Sequence, residues 1–459
     1  MEAFEIERVV AAQRAYFRTH ATFDVAARKQ ALERLRDAVR AHEADIADAL
    51  YADLGKSLDE SYTCEIGLSL SEINFQIKHV SRWSRARLRP TNLANSFAKS
   101  RVVPVPYGVV LVMAPWNYPF LLTLEPLAGA LAAGNCVVLK PSAYAPASSA
   151  VLRAICEECF PPELVCVVEG GRAENSALLD QRFDYIFFTG STNVGRLVME
   201  RASRNLTPVS LELGGKSPCI VTADANLKVA AARIAFGKGL NLGQTCVAPD
   251  YLLVDRRVKD EFLDLLCDQL SAMYGQDAFE NPDYGKMINW KHFDRVCSLI
   301  DQRKVVYGGR ANAMTLQIEP TVMDDVDPRD PVMQEEIFGP VLPVVAYDSL
   351  DEAEAFVTSR PTPLALYLFT SDAATEDRFL RFVPFGGGCV NDTVIHLATP
   401  YIPFGGMGES GMGSYHGKKS FETFSHEKSI VKKYCFPDLP MRYQPYQKWK
   451  SQVIRLFLH

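Results

Sequence analysis

Hydrophobic residues recur at two different spacings along the chain, and each spacing predicts a different kind of element. In residues 25–51 and 57–83, apolar positions recur every three or four residues among polar ones, which predicts amphipathic helices. Residues 88–105 are β-like and polar, and they predict a hairpin that leaves the main body. The first hundred residues are therefore expected to be mainly helical, with a small β-segment at the end.

From Tyr107 onwards, short continuous apolar runs alternate with helical patterns. Strands are predicted at residues 109–113, 136–139, 164–168, 185–188 and 209–213, and then at 218–221, 251–254, 341–345 and 364–369. Continuous apolar strands separated by helices are typical of a parallel sheet with both faces covered. We therefore predict two α/β units, with an approximate boundary near Gly214 and Gly215.

The composition excludes several classes of function. A chain of 459 residues is too long to fold around one ordinary hydrophobic core, and its length suggests about three domain-sized units. The net charge of −6 shows no excess of positive charge that would favour binding to nucleic acid or to an anionic membrane surface. No apolar run approaches the roughly 20 residues of a spanning helix, and the N-terminus lacks the order of a signal peptide. We expect a cytoplasmic protein without a transmembrane segment.

The cysteines include one candidate nucleophile. Eleven is an odd count in a long chain, so a disulfide framework is not expected. Cys156 and Cys159 form a C-x-x-C pair, but no second Cys or His pair follows at zinc spacing, and no metal site is predicted. Cys246 follows glycine and small polar residues, so it is either an approachable nucleophile or one more buried core cysteine.

Two segments suggest a base and a phosphate site. Glu212 ends an apolar strand, where a raised pKa would suit a general base; the alternative is a glutamate turned to solvent. Gly190, Ser191 and Gly195 lie in a turn between a strand and a helix, which suits a phosphate. The spacing fails both the G-x-G-x-x-G and the P-loop patterns, so the alternative is a tight turn with a Ser/Thr cap.

A glycine-rich segment, PFGGMGESGMG at 403–413, has too many glycines for a helix or a strand. It predicts a packed loop in which the backbone approaches another group closely, and the alternative is a flexible linker. His396, His416 and His426 lie in polar or glycine-rich stretches, and we interpret them as structural.

Several separated motifs together resemble the aldehyde dehydrogenase superfamily across nearly the whole chain. They are PWNYP at 115–119, LKPS at 139–142, FTGS at 188–191, LELGGK at 211–216, GQTC at 243–246, EEIFGP at 335–340 and PFGG at 403–406. CVAPDY at 246–251 and SGMGSYHGK at 410–418 are similar to the class 3-like branch, which includes fatty-aldehyde dehydrogenases.

The resemblance implies NAD(P)-dependent oxidation of an aldehyde to a carboxylic acid. Cys246 would attack the aldehyde carbon, and hydride loss to the cofactor would leave a thioester. The Asn117 amide and the Cys246 backbone N–H would hold the oxyanion. Glu212 would then activate water to release the acid. No metal is required by this chemistry.

The resemblance also implies which residues bind the cofactor and the aldehyde. Lys140 would contact the adenosine ribose and Glu336 the nicotinamide ribose, with Phe338 on the nicotinamide side. The other implied cofactor contacts are Trp116, Ser142, Gly190, Ser191, Gly195 and Leu213. The aldehyde entrance would be an apolar tunnel formed by Tyr118, Leu397, Ala398 and Phe404, which suits apolar aliphatic or aromatic aldehydes.

The implied fold has a Rossmann-like parallel-sheet cofactor domain, a second α/β catalytic domain and a small β bridging arm. The cofactor domain would comprise residues 1–87 and 106–213, and the catalytic domain residues 214–400. The bridging arm would comprise residues 88–105 and 421–459. A glycine-rich active-site loop would cover residues 401–420. Arms with unpaired strand edges are usually covered by a partner, so a homodimer is expected.

One departure from the family pattern affects the choice of cofactor. Many relatives have Glu after the Lys-Pro-Ser motif, where it pairs with the adenosine 2′-hydroxyl, but this chain has Ala143. Losing that carboxylate removes repulsion towards a 2′-phosphate, so use of NADP alongside NAD is expected. Two alternatives stay open: a CoA-acylating aldehyde dehydrogenase, against which Glu212 argues, and a catalytically inactive family member with a structural or binding role.

Overall fold

The protein is represented by a computed structural model that describes residues 1–458. Its helices are α1 Ala3–Arg18, α2 Val25–Ala41, α3 Glu43–Leu54, α4 Leu58–Ser61, α5 Gly67–Trp83, α6 Leu121–Ala133, α7 Pro146–Cys159, α8 Arg172–Leu179, α9 Thr192–Ser203, α10 Leu227–Gly239, α11 Lys259–Tyr274, α12 Trp290–Cys297, α13 Leu350–Thr358, α14 Ala373–Phe382, α15 Lys418–Thr423 and α16 Lys448–Phe457. Its strands are β1 Arg87–Arg89, β2 Ala98–Pro106, β3 Val109–Met113, β4 Cys136–Lys140, β5 Val165–Val167, β6 Tyr185–Gly190, β7 Val209–Leu213, β8 Pro218–Val221, β9 Tyr251–Asp255, β10 Val305–Tyr307, β11 Ala311–Asn312, β12 Gln317–Ile318, β13 Thr321–Met323, β14 Val341–Tyr347, β15 Ala365–Phe369, β16 Gly387–Val390, β17 Gly411–Met412 and β18 Ser425–Lys433.

The first large sheet has the strand order β17-β7-β6-β3-β4-β5. Strands β3 to β7 are parallel, which confirms the sheet predicted from the first series of apolar runs. Every residue of β3 and β4 is buried. Helices α1, α6, α7 and α9 pack against this sheet and cover its apolar residues.

The second large sheet has the order β10-β13-β14-β9-β8-β15-β16. Strands β8, β9, β14 and β15 correspond to the second predicted series, and they pair in parallel. The sequence did not predict β10, β13 or β16. These strands are short, and β16 begins with two glycines, so they lack the long apolar run that marked the central strands.

A separate antiparallel sheet is formed by β1, β2 and β18. Strands β1 and β2 form the predicted hairpin, in which Arg87 lies opposite Val102. The whole of β18 pairs with β2, from Ser425 opposite Pro106 to Lys433 opposite Ala98. The two chain segments that were assigned to one arm are therefore joined by hydrogen bonds.

Three predicted elements differ in the structure. Residues 25–51 form two helices, because α2 ends and α3 begins at His42. Residues 57–83 are interrupted by a π-helical turn at Tyr62–Ile66. The prediction that 403–413 holds no strand is wrong: β17 pairs with β7, with Gly411 opposite Glu212. Only glycine fits there, since an added Cβ on Gly411 would lie 2.0 Å from the Leu211 carbonyl oxygen.

Within residues 1–458, no helix is both long and apolar enough to cross a membrane. In the same described residues, no three His, Cys, Asp or Glu side chains are grouped so that they could hold a metal ion. Cys156 and Cys159 are both buried in α7, and burial raises the pKa of both thiols.

Candidate functional site

Two cavities meet at Cys246 and Glu212. The first has a volume of about 270 Å³ and an almost wholly apolar lining. The second, of about 360 Å³, lies between the ends of β6 and β7 and the loop that precedes β14. The thiol-bearing and carboxyl-bearing residues both contribute to the walls of both cavities. Chemistry between a molecule in one cavity and a molecule in the other would take place at this junction.

Cys246 is positioned by an unusual turn after α10. Asn241, Leu242 and Gly243 all have positive φ angles, of 50°, 52° and 68°. An added Cβ on Gly243 would lie 2.3 Å from the carbonyl oxygen of Gly339, so the turn packs against the loop before β14. Such strained backbone persists only where the surrounding structure holds it, and it is frequent at functional sites.

The electrostatic surroundings keep the Cys246 thiol protonated. Burial raises the pKa of the thiol well above its ordinary value, and the carboxyl groups of Glu212 and Glu336 raise it further. The backbone N–H groups of Cys246 and Val247 act in the opposite direction. The thiol therefore needs a proton acceptor or an approaching electrophile before it reacts as a nucleophile.

Glu212 is buried rather than turned to solvent, so that alternative is wrong. Its carboxyl group is in β7 and is 4% exposed. The hydroxyl of Tyr415 donates a hydrogen bond of 3.2 Å to its Oε2 atom, while Oε1 has no protein partner. Burial raises the pKa of Glu212 to about 8, against the opposing effects of His416 and Tyr415. A base with this pKa is partly charged near neutral pH.

Asn117 lies in the wall of the second cavity, and its neighbours fix its orientation. Its side-chain amide donates to the Gln244 carbonyl at 3.0 Å, which leaves the second N–H available. The Asn117 carbonyl accepts from the Lys56 ammonium at 2.9 Å and from the Asn241 amide at 2.8 Å. Buried Lys56 also pairs with Glu65 at 2.6 Å. The side chains of Lys56 and Asn241 and the backbone carbonyl of Gln244, all distant in sequence, therefore hold Asn117.

Most of the residues that the resemblance implied for the cofactor surround the second cavity. Trp116, Gly190, Ser191, Leu213, Glu336 and Phe338 all line it. Lys140, Ser142 and Gly195 do not. The Lys140 ammonium donates to the Pro141 carbonyl at 2.6 Å, and burial lowers its pKa to about 8. Gly195 lies against Leu213, where a Cβ would be 2.7 Å from a side-chain carbon.

The second cavity has the features that a dinucleotide needs. Thr189 Oγ1, Glu336 Oε1 and His292 Nδ1 are buried without a protein hydrogen-bond partner. The turn at Gly190 and Ser191 leads into α9, whose first backbone N–H groups suit a pyrophosphate. Aromatic Trp116 lies 5.3 Å from Phe338 in an edge-to-face arrangement. Unpaired polar atoms, a helix N-terminus and aromatic faces together fit a nucleotide cofactor.

The sequence analysis missed His292 and Arg295 in this cavity. Both are in α12, whose sequence carries no recognised motif. Arg295 donates to the carbonyl oxygens of Glu336 and Ile337, and so holds the loop that carries Glu336. Burial lowers the pKa of His292 to about 4, which leaves its ring neutral.

The apolar cavity contains all four residues predicted for the aldehyde entrance. Tyr118, Leu397, Ala398 and Phe404 line it, and the Tyr118 hydroxyl lies 2.6 Å from Thr245 Oγ1. The sequence missed the other wall residues, including Cys64, Leu68, Leu121, Phe236 and Ile395. It also missed two buried polar residues in the same wall, Glu125 and His416, because nothing local marks them.

Comparison with known proteins agrees with this geometry. The family model described as "Aldehyde dehydrogenase family" matches residues 1–430. The chain is 47% identical over 454 residues to the 4,4'-diaponeurosporen-aldehyde dehydrogenase of Staphylococcus aureus, covering 98% of this chain and 99% of that protein. It is 45% identical over 430 residues to a mouse protein named "Aldehyde dehydrogenase, dimeric NADP-preferring", covering 93% and 94%.

The fold is shared with solved structures of the same kind. A structure described as the substrate-bound state of Staphylococcus aureus AldH superimposes with a TM-score of 0.97 at 46% identity and covers 99% of both chains. Other relatives are named aldehyde dehydrogenase family 3 members, which agrees with the predicted branch. The predicted α/β fold is confirmed. This chain belongs to the aldehyde dehydrogenase family of oxidoreductases, which act on aldehydes.

Proposed function

We propose that the protein oxidises an apolar aliphatic or aromatic aldehyde to its carboxylic acid, with NAD or NADP, through a thioester on Cys246. The supporting observation is that Cys246 and Glu212 are common to an apolar cavity and a nucleotide-sized cavity. An aldehyde in the first and a nicotinamide in the second would meet at the sulfur. Residues 1–87 and 106–213 would form the cofactor domain, and residues 214–400 the catalytic domain.

In the first step, the Cys246 sulfur bonds to the aldehyde carbon and its proton leaves to solvent. The carbonyl oxygen becomes an oxyanion, which accepts hydrogen bonds from the free Asn117 N–H and the Cys246 backbone N–H. NAD or NADP held in the second cavity would accept the hydride from this carbon, and a thioester on Cys246 would remain.

In the second step, Glu212 acts as the general base. Its charged carboxylate takes a proton from water, and the water oxygen bonds to the thioester carbon. The carbon–sulfur bond then breaks, the sulfur leaves with the electron pair and recovers a proton, and the acid is released. The unpaired Oε1 of Glu212 is the atom available for this proton, because Oε2 accepts from Tyr415.

The cavity supports an apolar substrate. Its volume of about 270 Å³ and its nearly continuous apolar wall suit a hydrocarbon chain or ring and offer little to a charged substrate. The relative from Staphylococcus aureus is named 4,4'-diaponeurosporen-aldehyde dehydrogenase.

For the cofactor, we propose that both NAD and NADP are used. Ala143 is exposed, so no carboxylate at this position opposes a 2′-phosphate. Lys140 and Ser142 precede it, and Lys140 would meet the ribose or its phosphate after its ammonium turns from Pro141. A mammalian relative is named NADP-preferring.

A homodimer is proposed as the assembly. The relative from mouse is named dimeric, and β18 is an edge strand of the small antiparallel sheet. Its side chains are mostly exposed. The expected cytoplasmic location stays a prediction.

The test is formation of NADH or NADPH with short, long and aromatic aldehydes, followed by identification of the product. We expect turnover with apolar aldehydes, an acid product with or without coenzyme A, and no turnover by Cys246→Ser, which should still bind the cofactor. A CoA thioester as the only product would support the acylating alternative. Bound cofactor with no turnover of any aldehyde would support the inactive family member.

A further inference from the structure

Glu125 and His416 lie in the wall of the apolar cavity, and together with Glu72 they line a small adjoining cavity. The proposed chemistry uses none of these three ionisable side chains. Glu72, Glu125 and His416 are 3%, 5% and 4% exposed. The Nε2 atom of His416 lies 3.2 Å from Oε2 of Glu125. Burying charged groups in an apolar wall is costly unless they are paired, so their retention needs a physical reason.

The backbone holds His416 in this position. Its φ angle is +79°, and the following Gly417 also has a positive φ, of 52°. The Gly417 N–H donates to both carboxylate oxygens of Glu72 at 3.0 Å, and Gln76 joins Glu72 to the Gly417 carbonyl. The imidazole stacks on Phe404, with ring centroids 5.2 Å apart and planes 15° apart. The ring is therefore fixed by both its backbone and its packing.

The charges that surround His416 favour the imidazolium. Burial opposes the charged ring, but Glu125, Glu72 and Glu212 together outweigh burial and raise the pKa of His416. His396, whose ring centroid lies 5.6 Å from that of Phe404, is neutral at ordinary pH, because burial lowers its pKa to about 4. Neighbouring Tyr415 carries a neutral hydroxyl, since burial raises its pKa. Among the ionisable residues named here, His416 is the one positive group.

We propose that His416 is a positioning residue for the hydrolysis step, held as a cation by Glu125 and Glu72 so that a positive charge stands beside Glu212 in the wall of the substrate cavity. This inference rests on the proposed role of Glu212 as the base. The cation favours the charged carboxylate, which is the form that can accept a proton from water. The pH midpoint of thioester hydrolysis, which needs the charged Glu212, would therefore depend on His416.

The test compares two phases in rapid-mixing experiments from pH 6 to pH 10: NADH formation, and release of the acid from the thioester. His416→Asn removes the charge, and asparagine tolerates positive φ. NADH formation is followed in the same samples and reports any change in substrate binding, because His416 lines the cavity. We expect the midpoint of the hydrolysis profile to move upwards. Each pH unit by which the midpoint rises lowers the rate of hydrolysis at pH 7 about tenfold. At high pH the rates of the variant and the wild type should become equal.

Two variants serve as controls. His416→Lys keeps the positive charge and should return the midpoint towards the wild-type value. His396→Asn alters a histidine that also packs near Phe404, at 5.6 Å, but it lacks a carboxylate partner, so it should leave the midpoint in place. A slower hydrolysis at every pH with an unmoved midpoint would show a merely structural role and overturn the proposal. Failure of wild-type protein to form NADH would instead reject the proposed function.

A measurement on His416 itself is independent of whether His416→Asn folds. The titration of the histidines is followed by NMR on histidine-labelled protein. The protein carries His42→Gln, because His42 also pairs with carboxylates and would give a similar signal. We expect one imidazolium signal to titrate above the ordinary histidine value, and the same signal to titrate lower in Glu125→Gln. If all signals become neutral by about pH 6.5, the ordinary histidine value, the proposal is wrong.

Discussion

Replacing Glu212 by glutamine should separate the two halves of the reaction. The variant keeps the size of the side chain and its contact with Tyr415, but it has no carboxylate to accept a proton from water. Thioester formation should continue, because Cys246 and Asn117 are unchanged. We expect about one NADH per active site, followed by turnover reduced about 10²- to 10⁴-fold, the usual contribution of a general base.

The pH dependence follows from the burial of the carboxyl group. Because burial raises the pKa of Glu212 to about 8, the active charged form increases as the pH rises through this value. About 9% of the carboxyl groups are charged at pH 7 and about 91% at pH 9, so wild-type thioester hydrolysis should rise about tenfold between these two pH values. The variant should show no such rise.

Quenched-flow measurement of acid release, with enzyme in excess over aldehyde, isolates hydrolysis from cofactor release. NADH is followed in the same samples, and its rate in Glu212→Gln serves as the control for intact binding and folding. A wild-type hydrolysis rate that is flat between pH 7 and pH 9, or a variant that releases acid at the wild-type rate, would refute the assignment of Glu212 as the base.

Three further predictions concern the surroundings of the site and the cofactor. Lys56→Met leaves buried Glu65 without its partner and should lower the free energy of unfolding by about 3–5 kcal/mol in urea titrations; an unchanged midpoint would contradict the role of this pair. Gly243→Ala places a Cβ against the Gly339 carbonyl at positive φ, so NADH formation should fall by at least about tenfold, with a smaller loss in cofactor affinity by titration. Ala143→Glu should lower kcat/KM for NADP by about tenfold or more while sparing NAD, and equal losses for both would contradict the cofactor proposal.

The central strands were readable from local sequence. Local sequence left a core cysteine and a solvent-exposed glutamate as alternatives for Cys246 and Glu212, and the resemblance to the family singled these two residues out. Strands β3 and β4 are buried on both faces, so their apolar runs are continuous and easily recognised. The raised pKa of Glu212 could likewise be expected, because the carboxyl group follows apolar residues of a buried strand. The edge strands β10 and β16 were missed because residues at a sheet edge do not have to be apolar, and buried β13 was missed because it has only three residues.

The polar wall of the apolar cavity could not be predicted. Glu125 stands within a helix whose neighbours are apolar, and His416 lies in a glycine-rich segment far along the chain. Their pairing depends on how α6, α5 and the segment after β17 pack together. We interpreted His416 as structural because a single histidine in a loop gives no sign of the carboxylates that will surround it.

The bond between the substrate carbon and the sulfur of Cys246 can be detected directly. Glu212→Gln protein is mixed with NAD and an apolar aldehyde, quenched in acid after the NADH burst, and digested for peptide mass analysis. The account predicts that the peptide containing Cys246 gains the mass of the aldehyde less two hydrogen atoms, in an amount equal to the NADH formed. NADH formation with this peptide unmodified, or with the acyl group on another cysteine such as Cys64, would contradict it.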